Sequence, residues 1–175
     1  ADQLGYVADL CKPKVWLSGE RGFAMGAGQP ALEAIPVKIN MGPCTKTWTA
    51  RFEDLLKTPE AAEPVPVTQE HTALITFTTG SSGTPKGADR SHRFLAAQHY
   101  AIDSCLPYEK SDLDLPVFPI FSLNNLAAGV TTILPAINVA EPADNDAYVL
   151  YTQIKGEGLT TLTLNPSLLN GLNKY

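Results

Sequence analysis

The chain has 175 residues, 44% of them hydrophobic and 18% charged, with 14 prolines and 13 glycines. That length allows about one domain, and the composition is that of a soluble globular protein slightly poor in charge. A net charge of −5 argues against a surface for nucleic acid or anionic membrane; the first residues show no signal-peptide pattern, and the sequence holds no run of ~18 apolar residues.

The cysteines, Cys11, Cys44 and Cys105, are far apart and odd in number. Without a C-x-x-C pair they support neither a zinc site nor a disulfide framework, and they read as buried or half-buried free thiols in a reducing compartment. The chain opens on Ala1 rather than Met, in what reads as a helix-strand unit, which suggests an excised segment.

In chain order, Asp2 to Cys11 has the spacing of a short amphipathic helix, with Leu4, Val7, Ala8 and Cys11 on one side. Pro13 ends it, and Lys14 to Ser18 reads as a strand. Residues 21–30 are a weak helix or loop. Ile35 to Ile39 is a short strand that Pro36 confines to an edge or a strand start. Thr49 to Lys57 suggests a helix. Thr58 to Glu70 holds three prolines, three glutamates and no basic residue, and reads as a solvated linker.

Ala73 to Thr78 is an apolar, β-prone run, expected to be a strand covered on both faces. It leads into Thr78-Thr79-Gly80-Ser81-Ser82-Gly83-Thr84-Pro85-Lys86-Gly87. A strand followed by such a loop is a phosphate-binding arrangement in outline. Its glycines let backbone N–H groups crowd an anion, its hydroxyls donate, and its lysine brings a mobile positive charge. It is not a Walker A loop: counting from Gly80, Pro85 stands where the second glycine belongs, and Gly87 follows the lysine. On composition alone, a plain Gly/Ser loop with a surface lysine fits as well.

Beyond the loop, Ser91 can cap a helix from His92 to Cys105, with Phe94, Leu95, Ala97, Ala101, Ile102 and Cys105 as its apolar face. His92, at the helix start, reads as a capping or packing residue, with anion binding the alternative; His99 reads as structural, and His71 carries no signal. Asp112 to Pro119 is extended. Pro119 to Asn125 enters a helix that Gly129 closes. Val130 to Leu134 is a strand, Pro135 to Asn145 a loop, and Asp146 to Lys155 a helix ending near Gly156. Leu159 to Leu164 is the next strand, and Asn165-Pro166-Ser167 starts a last helix. Strands alternating with helices predict an α/β fold with a largely parallel sheet flanked by helices.

The run Phe77 to Gly87 resembles the signature of the acyl-adenylate-forming superfamily, the AMP-binding synthetases and ligases, [YF]-[TS]-[ST]-G-[TS]-[TS]-G-x-P-K-G, at every position. Ser91-His92 continues the likeness, although Asp89 stands where an apolar residue is usual. Pro119-Ile120-Phe121 is similar to the family's P-[LM]-[FY]-H, with Ser122 in place of the histidine. The stretch from Asp112 to Phe121 looks most like the branch of olefin-biosynthesis β-lactone synthetases and fatty-acyl ligases. The resemblance implies that this segment borders the acyl pocket, but with Ser122 in place of the histidine no role of that histidine is carried over; a turn entering a core helix suits Ser122 as well as a pocket role.

The resemblance implies residues 1–175 as an incomplete part of the family's large domain: 1–57 before the linker, 58–70 the linker, and 71–175 the phosphate loop and following α/β units. It implies an ATP-dependent, cytoplasmic acid ligase that forms acyl-AMP from a fatty or related carboxylic acid with Mg²⁺, with coenzyme A a further partner in the whole protein. Thr78, Thr79, Gly80, Ser81, Ser82, Gly83, Thr84, Lys86 and Gly87 would hold phosphate. No catalytic residue or metal ligand is assigned. The aromatic-Gly-x-Thr-Glu and Thr-Gly-Asp stretches of the family are missing from the sequence, so the 175-residue chain alone is expected to be inactive. The competing readings are a non-catalytic α/β interaction domain with an anion-binding loop, and a phosphotransferase with an unusual phosphate loop.

Overall fold

The computed structural model describes residues 2–43, 50–58, 62–79, 83–139 and 143–175. Two compact units divide the chain, residues 1–90 and 91–175.

In the first unit, α1 (Asp2–Cys11), β1 (Val15–Ser18), α2 (Glu20–Gly26), α3 (Pro30–Glu33), β2 (Val37–Asn40), β3 (Ala50–Arg51) and α4 (Phe52–Leu55) follow in order. The strands form a parallel sheet ordered β1-β2-β3, with Val15 level with Val37 and Ile39 level with Ala50. Pro36 stands just before β2, at a strand start, so its missing N–H costs the ladder nothing. Ala8, Leu32 and Ile35 form the buried cluster, with Trp16 and Ala31 against it. The Lys38 ammonium donates to the Glu33 and Ile35 carbonyls at 2.8 and 3.0 Å, which satisfies acceptors at the end of α3. Residues 62–68 carry no helix or strand and are exposed.

The unit ends in β4 (Thr72–Thr79) and β5 (Pro85–Ser91), which pair as a two-stranded sheet. A five-residue connection is far too short for a parallel crossover, so this is a hairpin. Here the structure corrects the expectation of a strand covered on both faces. Thr72, Ala73, Ile75 and Thr78 are exposed, and Leu74, Thr76 and Phe77 are half-buried. An uninterrupted apolar run does not distinguish a central strand from a hairpin arm. β5 was not expected at all, because Pro85 and Gly87 read as loop residues.

In the second unit, α5 (His92–Cys105), β6 (Leu113–Pro116), α6 (Pro119–Ala128), β7 (Thr131–Thr132), α7 (Asp146–Glu157), β8 (Thr161–Thr163) and α8 (Pro166–Leu172) follow in order. The parallel sheet is ordered β7-β6-β8. Its register sets Asp114 level with Thr132 on one side and Thr161 on the other. Laterally paired residues leave the same face of a sheet, so these three polar side chains form one row. Asn125 of α6 reaches that row: its Nδ2 donates to Asp114 Oδ2 at 2.7 Å and to Thr132 Oγ1 at 3.1 Å. Thr161 Oγ1 donates to Asp114 Oδ1 at 2.8 Å. Asp114 is fully buried. Leu115, the next residue, leaves the opposite face and joins Val117 and Leu150 in the apolar core, with Leu159, Leu164 and Leu168 around them.

Helix ends follow their capping chemistry. Ser91 Oγ accepts from Phe94 N at 3.2 Å, and Asn165 Oδ1 accepts from Leu168 N at 2.8 Å, as the sequence predicts. α7 runs past Gly156 to Glu157 and is capped by Gly158. Cys11 and Cys105 are free and exposed rather than buried, and Cys44 lies outside the described residues. In α5 no residue is buried. Leu95, Gln98, His99 and Ile102 are half-buried, whereas Phe94, Ala97, Ala101 and Cys105 of the expected apolar face are exposed.

Removing the Asp114 carboxyl group strands the donors of Asn125 and Thr161. Asp114→Ala should destabilise the chain by roughly 2–4 kcal/mol, read as a lower urea midpoint, with Asp114→Asn costing less because one acceptor stays.

Candidate functional site

β4 delivers Thr78 and Thr79 to the loop, and β5 starts at Pro85, one residue before Lys86. The structure therefore places Thr78, Gly83, Thr84, Lys86 and Gly87 on and beside the turn of one hairpin, with Thr79 closing β4. Gly80, Ser81 and Ser82 lie outside the described residues. Thr78, Gly83, Thr84, Lys86 and Gly87 are all exposed. Lys86 thus carries its charge to solvent, where a point-charge donor can meet an anion.

Two glycines have specific tasks here. Gly83 has φ +78°, a left-handed conformation that side-chain-bearing residues rarely adopt. Gly87 lies under an aromatic ring: a Cβ built on it would sit 2.9 Å from Cε1 of Phe77. The expected role of Gly87, close approach of backbone to phosphate, has this packing role beside it. Polar pairs hold the hairpin further from the turn. Thr72 Oγ1 donates to Asp89 Oδ2 at 3.0 Å, and the Arg90 guanidinium donates to Thr76 Oγ1. Asp89 is thereby accounted for: the strand is exposed at that point, so an apolar side chain has nothing to pack on. Within the same unit, Phe77, Thr78 and Pro85 line a cavity of about 350 Å³ with Leu4, Val7 and Met25.

The second unit carries a separate groove between α5 and α6, about 380 Å³ in volume. Leu95, Ala96, Gln98, His99 and Ile102 line it from α5, and Ile120, Leu123, Asn124 and Ala127 from α6. Apart from Ala96, each set has the i, i+3, i+4, i+7 spacing of one helix face. His99 Nδ1 lies 2.9 Å from Asn124 Oδ1. His99 is thus a packing residue, as expected, but with a partner 25 positions away that no local pattern reveals. Ser122 is half-buried in the first turns of α6 and is not among the residues lining the groove. Among the described residues no three His, Cys, Asp or Glu side chains converge on a metal position, and no helix is long and apolar enough to cross a membrane.

The chain matches the AMP-binding enzyme family over residues 1–175 and belongs to that family. It is 37% identical over 106 residues to the olefin beta-lactone synthetase of Stenotrophomonas maltophilia, covering 61% of this chain and 19% of that protein. A candidate long-chain-fatty-acid CoA ligase from Rhodopseudomonas palustris superimposes with a TM-score of 0.80 at 17% identity, over 99% of this chain and 43% of its own. The o-succinylbenzoate coenzyme A synthetase of Bacillus subtilis, solved with ATP and magnesium, gives 0.68 at 15% identity, over 99% and 34%. The two solved structures share the fold, and the chain spans under a fifth of the length of the curated relatives it matches first, 19% and 18%.

Gly83→Ala should destabilise the hairpin by ~1–2 kcal/mol through its left-handed φ. Gly87→Ala should loosen it through the Phe77 ring, and Phe77→Ala should relieve that second defect but not the first. Amide exchange across β4 and β5 reads both: equal protection in Gly83→Ala and the native chain would contradict the assignment.

Proposed function

We propose that the whole protein to which this sequence belongs activates a carboxylic acid as acyl-AMP, and that this chain supplies its phosphate grip. The observation that carries the reading is the exposed Lys86 on the β4–β5 hairpin, within a chain that matches the AMP-binding family throughout. Thr78, Thr79, Gly80, Ser81, Ser82, Gly83, Thr84, Lys86 and Gly87 contact the β- and γ-phosphates of ATP. The hydroxyls and backbone N–H groups donate, and Lys86 neutralises charge. This donor-rich, acid-free turn suits a polyanion. Mg²⁺ supplies further charge neutralisation when it arrives with the nucleotide, and we assign it no ligand in this chain.

In the reaction, a carboxylate oxygen bonds to the α-phosphorus while the bond from that phosphorus to the bridging oxygen breaks, and pyrophosphate leaves. Negative charge accumulates on the leaving group, where a held cation is most useful. The apolar part of the acid occupies the α5–α6 groove, whose lining is mostly hydrocarbon. That favours a fatty or related acid, with coenzyme A a possible acyl acceptor of the whole protein. We treat residues 1–175 as part of the large domain, with 58–70 as the linker between 1–57 and 71–175. We assign its work to the cytoplasm, where ATP is supplied and exposed thiols such as Cys11 and Cys105 stay reduced.

Lys86→Ala in the whole protein should slow substrate-dependent pyrophosphate release roughly ten- to a hundredfold, the value of a charge-assisted contact made mainly in the transition state. Thermal stability should be unchanged, because an exposed side chain leaves no cavity. An unaltered rate would remove Lys86 from the reading. The 175-residue chain alone, given ATP, Mg²⁺ and a panel of fatty and aromatic acids, should form no AMP. Positioning of the two reactants, worth ~7–11 kcal/mol, depends on parts it does not contain.

A further inference from the structure

Lys86, on which the proposed phosphate grip depends, stands between a proline and a glycine at the start of β5. Its two neighbours are opposite in stiffness. Pro85 has its φ fixed by its ring, whereas Gly87, without a Cβ, is the residue least able to hold a backbone direction by itself. Gly87 is not left free, however. A Cβ built on it would lie 2.9, 3.1 and 3.5 Å from Cε1, Cζ and Cδ1 of Phe77, so the edge of that ring occupies the space a side chain would take. Successive residues of a strand leave opposite faces, so Lys86 leaves β5 on the face away from the ring. Phe77 stands behind the lysine rather than beside its ammonium group.

The other surroundings of Phe77 are not those of a core residue. The ring is half-buried and is not part of the Ala8–Leu32–Ile35 cluster of its own unit. It borders the cavity of about 350 Å³ that Leu4, Val7 and Met25 also line. A side chain whose task is core filling is closely packed on all sides. This one is packed tightly against a glycine and borders open space elsewhere.

We infer that Phe77 is a positioning residue for the phosphate grip. By covering Gly87 it fixes the backbone on the glycine side of Lys86, and with it the point from which the ammonium group reaches a phosphate. The inference rests on the reading of Lys86 as a phosphate contact. A single cation that meets charge developing on the leaving group must be held in place before the reaction, so its origin matters as much as its charge. Leucine or methionine at position 77 supplies hydrocarbon but no planar ring, and Gly87 regains its freedom.

The test is a double-mutant cycle on substrate-dependent pyrophosphate release by the whole protein, with Phe77→Leu, Lys86→Ala and the two combined. Phe77→Leu should slow turnover roughly tenfold with the KM for ATP little changed, since a misplacement of about 1 Å can cost up to roughly a hundredfold. In the Lys86→Ala background the same substitution should change the rate less than about twofold, because the group it positions is gone. A loss of folded protein would act equally in both backgrounds, so the dependence on background separates positioning from mere support. Phe77→Tyr, which keeps the ring, should recover most of the rate. Phe77→Met, also without a ring, takes the place of Phe77→Leu in the cycle if that variant does not fold. Equal slowing in both backgrounds, or an unaltered rate in Phe77→Leu, overturns the role of Phe77; the phosphate grip then stands if Lys86→Ala by itself slows the reaction. If Lys86→Ala leaves the rate unaltered, the grip and this inference fall together.

Discussion

The buried carboxyl group of Asp114 is the constraint on which the second unit depends. It lies in the middle strand of a three-stranded sheet, and its oxygens accept from β8 through Thr161 and from α6 through Asn125, while Asn125 also reaches β7. One polar group thus ties two other elements to the central strand and links them to a third. Dispersion forces alone would allow α6 to slide along the sheet, since hydrocarbon contact is not directional. A fixed pair of hydrogen bonds does not. The opposite face of the strand performs the complementary task, with Leu115 and Leu150 wholly buried in the apolar core. The sheet is therefore registered on one face and glued on the other.

Among the described residues of the first unit, no buried polar group of this kind joins the β4–β5 hairpin to a neighbouring element. The two arms of the hairpin are held by each other, through the ladder, the Thr72–Asp89 and Thr76–Arg90 pairs, and Phe77 lying over Gly87. Most of their side chains are exposed. Gly83, in its left-handed conformation, and the exposed Lys86 stand at the β5 end of the turn.

What the sequence made legible was local. The boundaries of α1 and α5 could be read because a proline or a serine cap marks them, and Asn165-Pro166 announces α8 in the same way. The family signature from Phe77 to Gly87 was legible because its residue types occur in a fixed order. What escaped was pairing. β5 contains Pro85 and Gly87, which oppose strand formation, and only the facing arm of the hairpin makes a strand of them. The same blindness hid the link between His99 and Asn124, and the row of Asp114, Thr132 and Thr161. Those contacts join residues far apart in the chain, and no periodicity within either partner reports them. The apolar face of α5 was placed too broadly for a related reason. The helix buries a narrow stripe against α6, and the sequence alone cannot say which neighbour sets its width.

That narrow stripe bears on how firmly α5 is held. α5 has no buried residue, so its contact with α6 rests on a few half-buried side chains and, among the described residues, on the His99–Asn124 hydrogen bond. Asn124 gives that bond only its Oδ1; its Nδ2, like the Oδ1 of Asn125, is buried without a partner among the described residues. An unpaired buried amide atom offsets part of what the paired end contributes. The Asp114 carboxyl group differs in that both of its oxygens are engaged, one by Asn125 and one by Thr161, so the directional hold on α6 comes from the sheet side rather than from α5.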